Sequence, residues 1–219
     1  MKNFAAFAIA LPSLAVALPS LALGRPVLEK HGGVVVDRSA AMIEVRGAGA
    51  PDLRAPTAEV GRFRAERSAR IDAGKRLKAA LPSLMGAKMA SACRESASAA
   101  IDLAVAEVAA ASIDWGSDGS VTLALRVPVA RLAPPQKADA GSVREVIVID
   151  RSAAPQLFVS DGRAGETACD GLRPGPLLFD TLAEVRASSA GLAALEVTDG
   201  AVPENARVAA IARSRGEAR

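Results

Sequence analysis

The segment "ERSARIDAGKRLKAALPSL", Glu66 to Leu84, limits the folds open to this chain more than any other stretch. At 3.6 residues per turn, Ala69, Ala73, Leu77, Ala80, Leu81 and Leu84 fall on one side of a helix, flanked by Ala65 and Phe63. Arg64, Arg67, Lys75 and Lys78 fall on the other side, around Ile71. The apolar face is small in its first half and large in its second. Small side chains let a helix lie close against a sheet, so this face predicts a helix laid flat on strands. Thr57 stands where an N-cap belongs and Glu59 lies in the first turn, where the helix dipole favours an anion. The expected helix runs from about Ala58 to Leu81 and stops near Pro82. Asp72 with Arg76, and Glu66 with Arg70, are pairs four apart, each contributing a few tenths of a kcal/mol. The cations read first as a solvated face. Ile71 in their midst points also to a partner surface made of Arg64, Arg67, Ile71, Lys75 and Lys78.

Around this helix the sequence reads as short strands. "GGVVVDRSAAMIEVRGAG" gives two, Val34 to Val36 and Met42 to Val45, with Gly47, Gly49 and Pro51 ending the second. A second helix is expected over about Met89 to Ala100, followed by extended chain toward Ile113. "DWGSDGS" is a turn, and "VTLALRVPV" alternates, with Val121, Leu123, Leu125 and Val127 facing one way, so the two flanks form a hairpin. "VREVIVID" is apolar on both faces, which suits a central strand. "PQLFVSDG" and "LEVTD" read as strands, "RPGP" as a sharp loop, and "LLFDTLAEVRAS" as a strand with a helical turn. The expected organisation is a signal peptide over 1–24, an α+β domain over 25–132 (hairpin, helix, helix, hairpin), a linker over 133–142, and a smaller β-rich module over 143–219 with a fraying tail. The fold class is α+β: one short-stranded antiparallel or mixed sheet packed on one long and one shorter helix.

The first residues, "MKNFAAFAIALPSLAVALPSLALG", show one Lys, an apolar run and small residues before Gly24, the pattern of a cleaved secretory signal, favoured by Pro12 and Pro19 over an uncleaved membrane anchor across Phe4 to Leu23. No later run approaches the length of a membrane span, so no integral membrane segment is expected after cleavage. Cys93 and Cys169 are an even pair in an expected exported chain, which favours one disulfide over two free thiols. The charges, 27 basic against 24 acidic, nearly cancel, and only 3% of residues are aromatic. Neither supports a nucleic-acid partner.

Residues for chemistry are scarce. His31, the one histidine, lies just after the expected cleavage site, in what reads as a flexible leader. Two cysteines and one histidine fit no usual zinc spacing. "GAGAP" at 47–51 lacks the third glycine of a dinucleotide loop, and Pro51 and Pro56 follow it. "DWGSDGS" has Gly116 where a calcium loop needs an oxygen ligand, and Leu125 where it needs a carboxylate. The expectation is no catalytic residue, metal or cofactor.

Four stretches occur in order: "IEVRGAGA" (43–50), "ERSARIDAGKRLKAAL" (66–81), "DGSVTLALRVPV" (118–129) and "VIVIDRSAAPQLFVSDG" (146–162). In this order they resemble the Lpp-twenty lipoprotein family and the related flagellar outer-membrane proteins of the FlgP and FlgT kind. The likeness includes a helix patterned on Ala69, Asp72, Ala73 and Leu77. The resemblance implies a non-catalytic cell-envelope protein with a structural or assembly role, in some members tied to flagella. The lipoproteins carry a cysteine at the end of the signal peptide; here the first cysteine is Cys93, so a non-lipidated periplasmic or secreted form is expected. Partners would be envelope proteins, a second copy, or an anionic surface met by the basic face. The alternatives are an exported hydrolase-like enzyme with an acidic or serine site, and a small-ligand-binding periplasmic protein.

Overall fold

The computed structural model describes residues 26–133, 144–150, 155–160, 169, 172–188, 190–199, 202 and 206–214. The expected signal segment, most of the linker and the last five residues of the tail lie outside these.

Strands β1 (Leu28–His31) and β2 (Val34–Asp37) form a hairpin closed by Gly32 and Gly33. Both glycines have positive φ, +51° and +94°, as a two-residue turn between twisted strands requires. β3 (Met42–Gly49) pairs antiparallel with β2. It does not end at Gly47, as the sequence suggested, but runs through Gly47 to Gly49. Glycine serves here for close approach rather than for a turn. A Cβ on Gly47 would stand 2.0 Å from the Ala69 carbonyl oxygen, and one on Gly49 would stand 2.0 Å from that of Ala65. Helix backbone and strand backbone are therefore in direct contact.

The helix is α1 (Ala58–Met85), capped by Thr57, whose hydroxyl accepts from the Val60 N–H at 3.3 Å. Ala65, Ala69, Ala73, Leu77, Ala80, Leu81 and Leu84 are all buried, as the periodicity required. The helix does not stop at Pro82; it continues one turn to Gly86, where φ is +81°. Proline removes one N–H and costs about 3 kcal/mol inside a helix. Leu84 and Met85, both buried, each contribute about 1.5–3 kcal/mol, enough to hold that last turn. Phe63, expected beside the buried face, is 68% exposed. The neighbouring helix ends level with Arg70, so nothing of it reaches two turns further to cover Phe63.

That neighbour comes in two pieces, α2 (Ala87–Ala92) and α3 (Arg94–Glu107), broken at buried Cys93. It extends past the expected end at Ala100 because Ala97, Ile101, Ala104 and Val105 continue the buried face. β4 (Ala110–Trp115) and β5 (Val121–Pro128) form the expected hairpin, turned at Gly119 with φ +83°. The first sheet has the order β1-β2-β3-β5-β4, entirely antiparallel, with the helices on one face. A 3-10 turn, Val129–Leu132, closes this half.

The remaining strands are β6 (Arg144–Ile149), β7 (Phe158–Ser160), β8 (Leu172–Pro174) and β9 (Leu177–Thr181). Helices α4 (Leu182–Ser188) and α5 (Ala190–Ala193) follow, then β10 (Glu196–Asp199) and β11 (Ala206–Ser214). The "RPGP" stretch is partly strand, since Arg173 and Pro174 end β8.

The fold is α+β, with helices and both antiparallel and parallel sheet. The single sheet expected from sequence is instead three among the described residues. β6 is the reason. Apolar on both faces, it sits inside a parallel sheet ordered β10-β6-β11-β9 and needs cover on each side. α4 supplies it on one side, where Val185 packs with Phe179, Ala210 and Ala212. Val27 supplies it on the other, against Val146, Val148 and Ile211. The β7–β8 pair goes elsewhere: Leu157, Phe158 and Leu172 pack into the core under α1.

Candidate functional site

The outer face of α1 carries the residues singled out as a partner surface. Arg64, Arg67 and Lys75 are exposed, Ile71 is 52% exposed, and Lys78 is half-buried. The helix thus brings all five into one stripe. Two of its cations are engaged: Arg64 donates to Asp52 at 2.7 Å and Lys78 to Asp102 at 2.7 Å. The Arg64 hydrogen bond, with the Arg54 backbone N–H, holds the Asp52 carboxyl below its ordinary value. No ion pair among the described residues engages Arg67 or Lys75, so the middle of the stripe presents unpaired cations around an exposed isoleucine.

Two residues read as ordinary surface pairs do more. The guanidinium of Arg70 bonds Glu66 as expected, and also donates to the carbonyls of Val105 at 3.0 Å and Val108 at 2.8 Å. It thereby satisfies carbonyls at the end of α3. Asp72 accepts from Arg76 at 2.9 Å and from the Ala48 backbone N–H at 3.0 Å. Ala48 lies in the part of β3 that runs beyond β2, so Asp72 fills a vacant ladder position. Spacing shows the pairs but not these second partners.

Cys93 and Cys169 form a disulfide, with Cα atoms 5.3 Å apart. The bond fastens the segment before β8 to the break between α2 and α3, beside the main core.

In the sequence Arg38 is no more than part of the Asp37-Arg38-Ser39 turn. It is only 2% exposed and joins the two halves. Its side chain donates to the carbonyls of Pro155 at 2.7 Å and Gln156 at 3.3 Å, and its own carbonyl accepts from the Leu178 N–H. Its Nε has no partner among the described residues. Burial lowers the pKa of this guanidinium, Glu29 works against that shift, and Arg213 adds to it. Arg38 lines a cavity of about 260 Å³ with Glu29, His31 and Ser83. His31 is thus part of strand β1 and not of a loose leader. Its Nε2 lies 3.3 Å from the Glu29 carboxylate. Serine, histidine and carboxylate line one cavity, yet the Ser83 hydroxyl donates to the Ala80 carbonyl at 2.8 Å and has no bond to His31.

A groove of about 660 Å³ between α3 and the 3-10 turn is lined mainly by alanines and Leu103, with the Glu107–Arg131 pair beside it. At the β4–β5 turn, hydrogen bonds from the Ser120 hydroxyl and backbone N–H hold the Asp118 carboxyl below its ordinary value. Among the described residues, no group of three or more His, Cys, Asp or Glu side chains is placed to hold a metal ion. None of the described helices is long and apolar enough to cross a membrane. No family model, curated protein or solved structure matches this chain.

Proposed function

We propose that this is an exported, non-catalytic protein of the cell envelope, acting in structure or assembly at the periplasm or outer membrane through protein–protein contacts, in the manner of a non-lipidated relative of the Lpp-twenty and flagellar outer-membrane proteins. The observation that carries the reading is the division of α1. Its alanines are spent on the strand backbone, and its cations face outward with Arg67 and Lys75 unpaired. The cavity beside Arg38 and the groove beside α3 are each lined by a single carboxylate, which gives no support to an acidic catalytic pair there. The disulfide accords with an oxidising compartment. Fractionation of an epitope-tagged chain, with cross-linking and mass spectrometry of what is captured, tests the reading. It expects a processed, oxidised chain in the envelope fraction, cross-linked to envelope proteins or to itself. Recovery from cytosol alone, with an intact N-terminus and free thiols, would overturn it.

A further inference from the structure

The basic stripe of α1 does not run out on a flat surface; it ends in a hollow. A cavity of about 590 Å³ opens between the last turns of α1 and the α2–α3 pair, walled by Lys78 and Pro82 on one side and by Ser91, Arg94 and Ser98 on the other. Its volume is in the range of small-molecule sites, roughly 300–1,000 Å³. At 100° per residue, Ile71, Lys78 and Pro82 lie within about 20° of one line along the helix, so the hollow opens in line with the stripe. Its lining includes two cations and no carboxylate. Arg94 has no ion pair among the described residues, and the hydroxyls of Ser91 and Ser98 have no hydrogen-bond partner there. Asp102, outside the lining, holds Lys78 at 2.7 Å.

A concave site with a guanidinium, an ammonium and two free hydroxyls offers a tetrahedral anion both charge and several donors. Ile71, exposed and two turns (about 10 Å) before Lys78, places an apolar side chain outside the hollow but on the same face of the helix. Free phosphate has no use for such a neighbour, but an anionic phospholipid does, because its acyl boundary lies next to its phosphodiester. We propose that this hollow binds the phosphodiester headgroup of an anionic phospholipid, with Arg94 and Lys78 on the phosphate oxygens, Ser91 and Ser98 donating beside them, and Ile71 set into the lipid surface. This adds a lipid contact at the end of the stripe to the envelope reading, and rests on that reading only for the source of the lipid.

The test is co-sedimentation of the purified, disulfide-bonded protein with phosphatidylcholine vesicles, with and without phosphatidylglycerol, at fixed salt. Binding is expected only with phosphatidylglycerol. Arg94→Gln should weaken it about tenfold, the loss of a hydrogen bond to a charged group. Arg46→Gln, which removes the same charge from the far face of the sheet, should change it less than about twofold. Asp102→Asn, which releases Lys78, should strengthen it. Circular dichroism checks that each variant folds. Equal losses in Arg94→Gln and Arg46→Gln would overturn the proposal, as would a titration in which inorganic phosphate binds but vesicles do not. Vesicle binding that survives while fractionation finds the chain in cytosol would remove the envelope reading and leave the site.

Discussion

Gly47→Ala puts one methyl group where the helix backbone already stands. The new Cβ would lie 2.0 Å from the Ala69 carbonyl oxygen, 2.8 Å from the Ala73 nitrogen and 2.9 Å from the Ala73 Cβ. Bringing the closest contact out to 3.0 Å needs a shift of 3.0 − 2.0 = 1.0 Å, and the obstacle is backbone, which has no rotamer to change. Either α1 lifts from the sheet, loosening Ala65, Ala69, Ala73 and Leu77 together, or β3 gives up its register with β5. Overpacking a core costs about 1–3 kcal/mol when side chains can adjust. Here they cannot, so the expected loss is about 3 kcal/mol or more. With a urea slope of about 2 kcal/mol per molar, the midpoint should fall by about 1.5 M. The control is Gly74→Ala. Gly74 is buried on α1, but its Cβ would meet nothing within 4 Å, and alanine favours helix by about 0.5–1 kcal/mol. The same substitution should therefore destabilise at one site and stabilise at the other. Urea titrations of the oxidised protein, followed by circular dichroism, read both. Wild-type stability in Gly47→Ala, or equal losses in the two variants, would refute the close-contact argument.

Reduction of the disulfide, or Cys93→Ser with Cys169→Ser, should cost about 4 kcal/mol by chain entropy, read as a lower thermal midpoint under reducing conditions. Arg70→Met should cost about 1–2 kcal/mol, because it strips a donor from the Val105 and Val108 carbonyls. Arg76→Met, losing only an exposed pair, should cost less than about 1 kcal/mol in the same titration. The depressed pKa of Asp52 contributes stability that is present above its unfolded pKa and lost as pH falls through the lower folded pKa. Asp52→Asn should therefore flatten the acid limb of a pH–stability profile, and an unchanged limb would remove the assignment.

The periodic parts of this fold were legible in the sequence. Leu77, Leu81 and Leu84 mark a buried face by spacing alone, and Val121 to Val127 alternate as a half-covered strand must. Thr57 announced the helix start. What sequence concealed was always a matter of what stood opposite. Gly47 and Gly49 look like strand terminators until a helix lies on them. Pro82 looks like a stop until Leu84 and Met85 find a core to enter. Phe63 looks buried until its neighbouring helix proves too short. Arg38 is one cation among many in the sequence, and only the meeting of two halves around it makes it a joint. The stripe itself could be read from periodicity. The hollow at its end could not, because its far wall comes from Ser91, Arg94 and Ser98 on other helices.

The relation of α1 to the sheet can be observed directly in solution. In an isotope-labelled sample, the α-protons of Gly47 should show strong nuclear Overhauser contacts to the Ala73 methyl group, and those of Gly49 should show contacts to Ala65. Contacts from either glycine to Ile71 or Lys75 instead would place the cationic side of the helix inward and contradict the account.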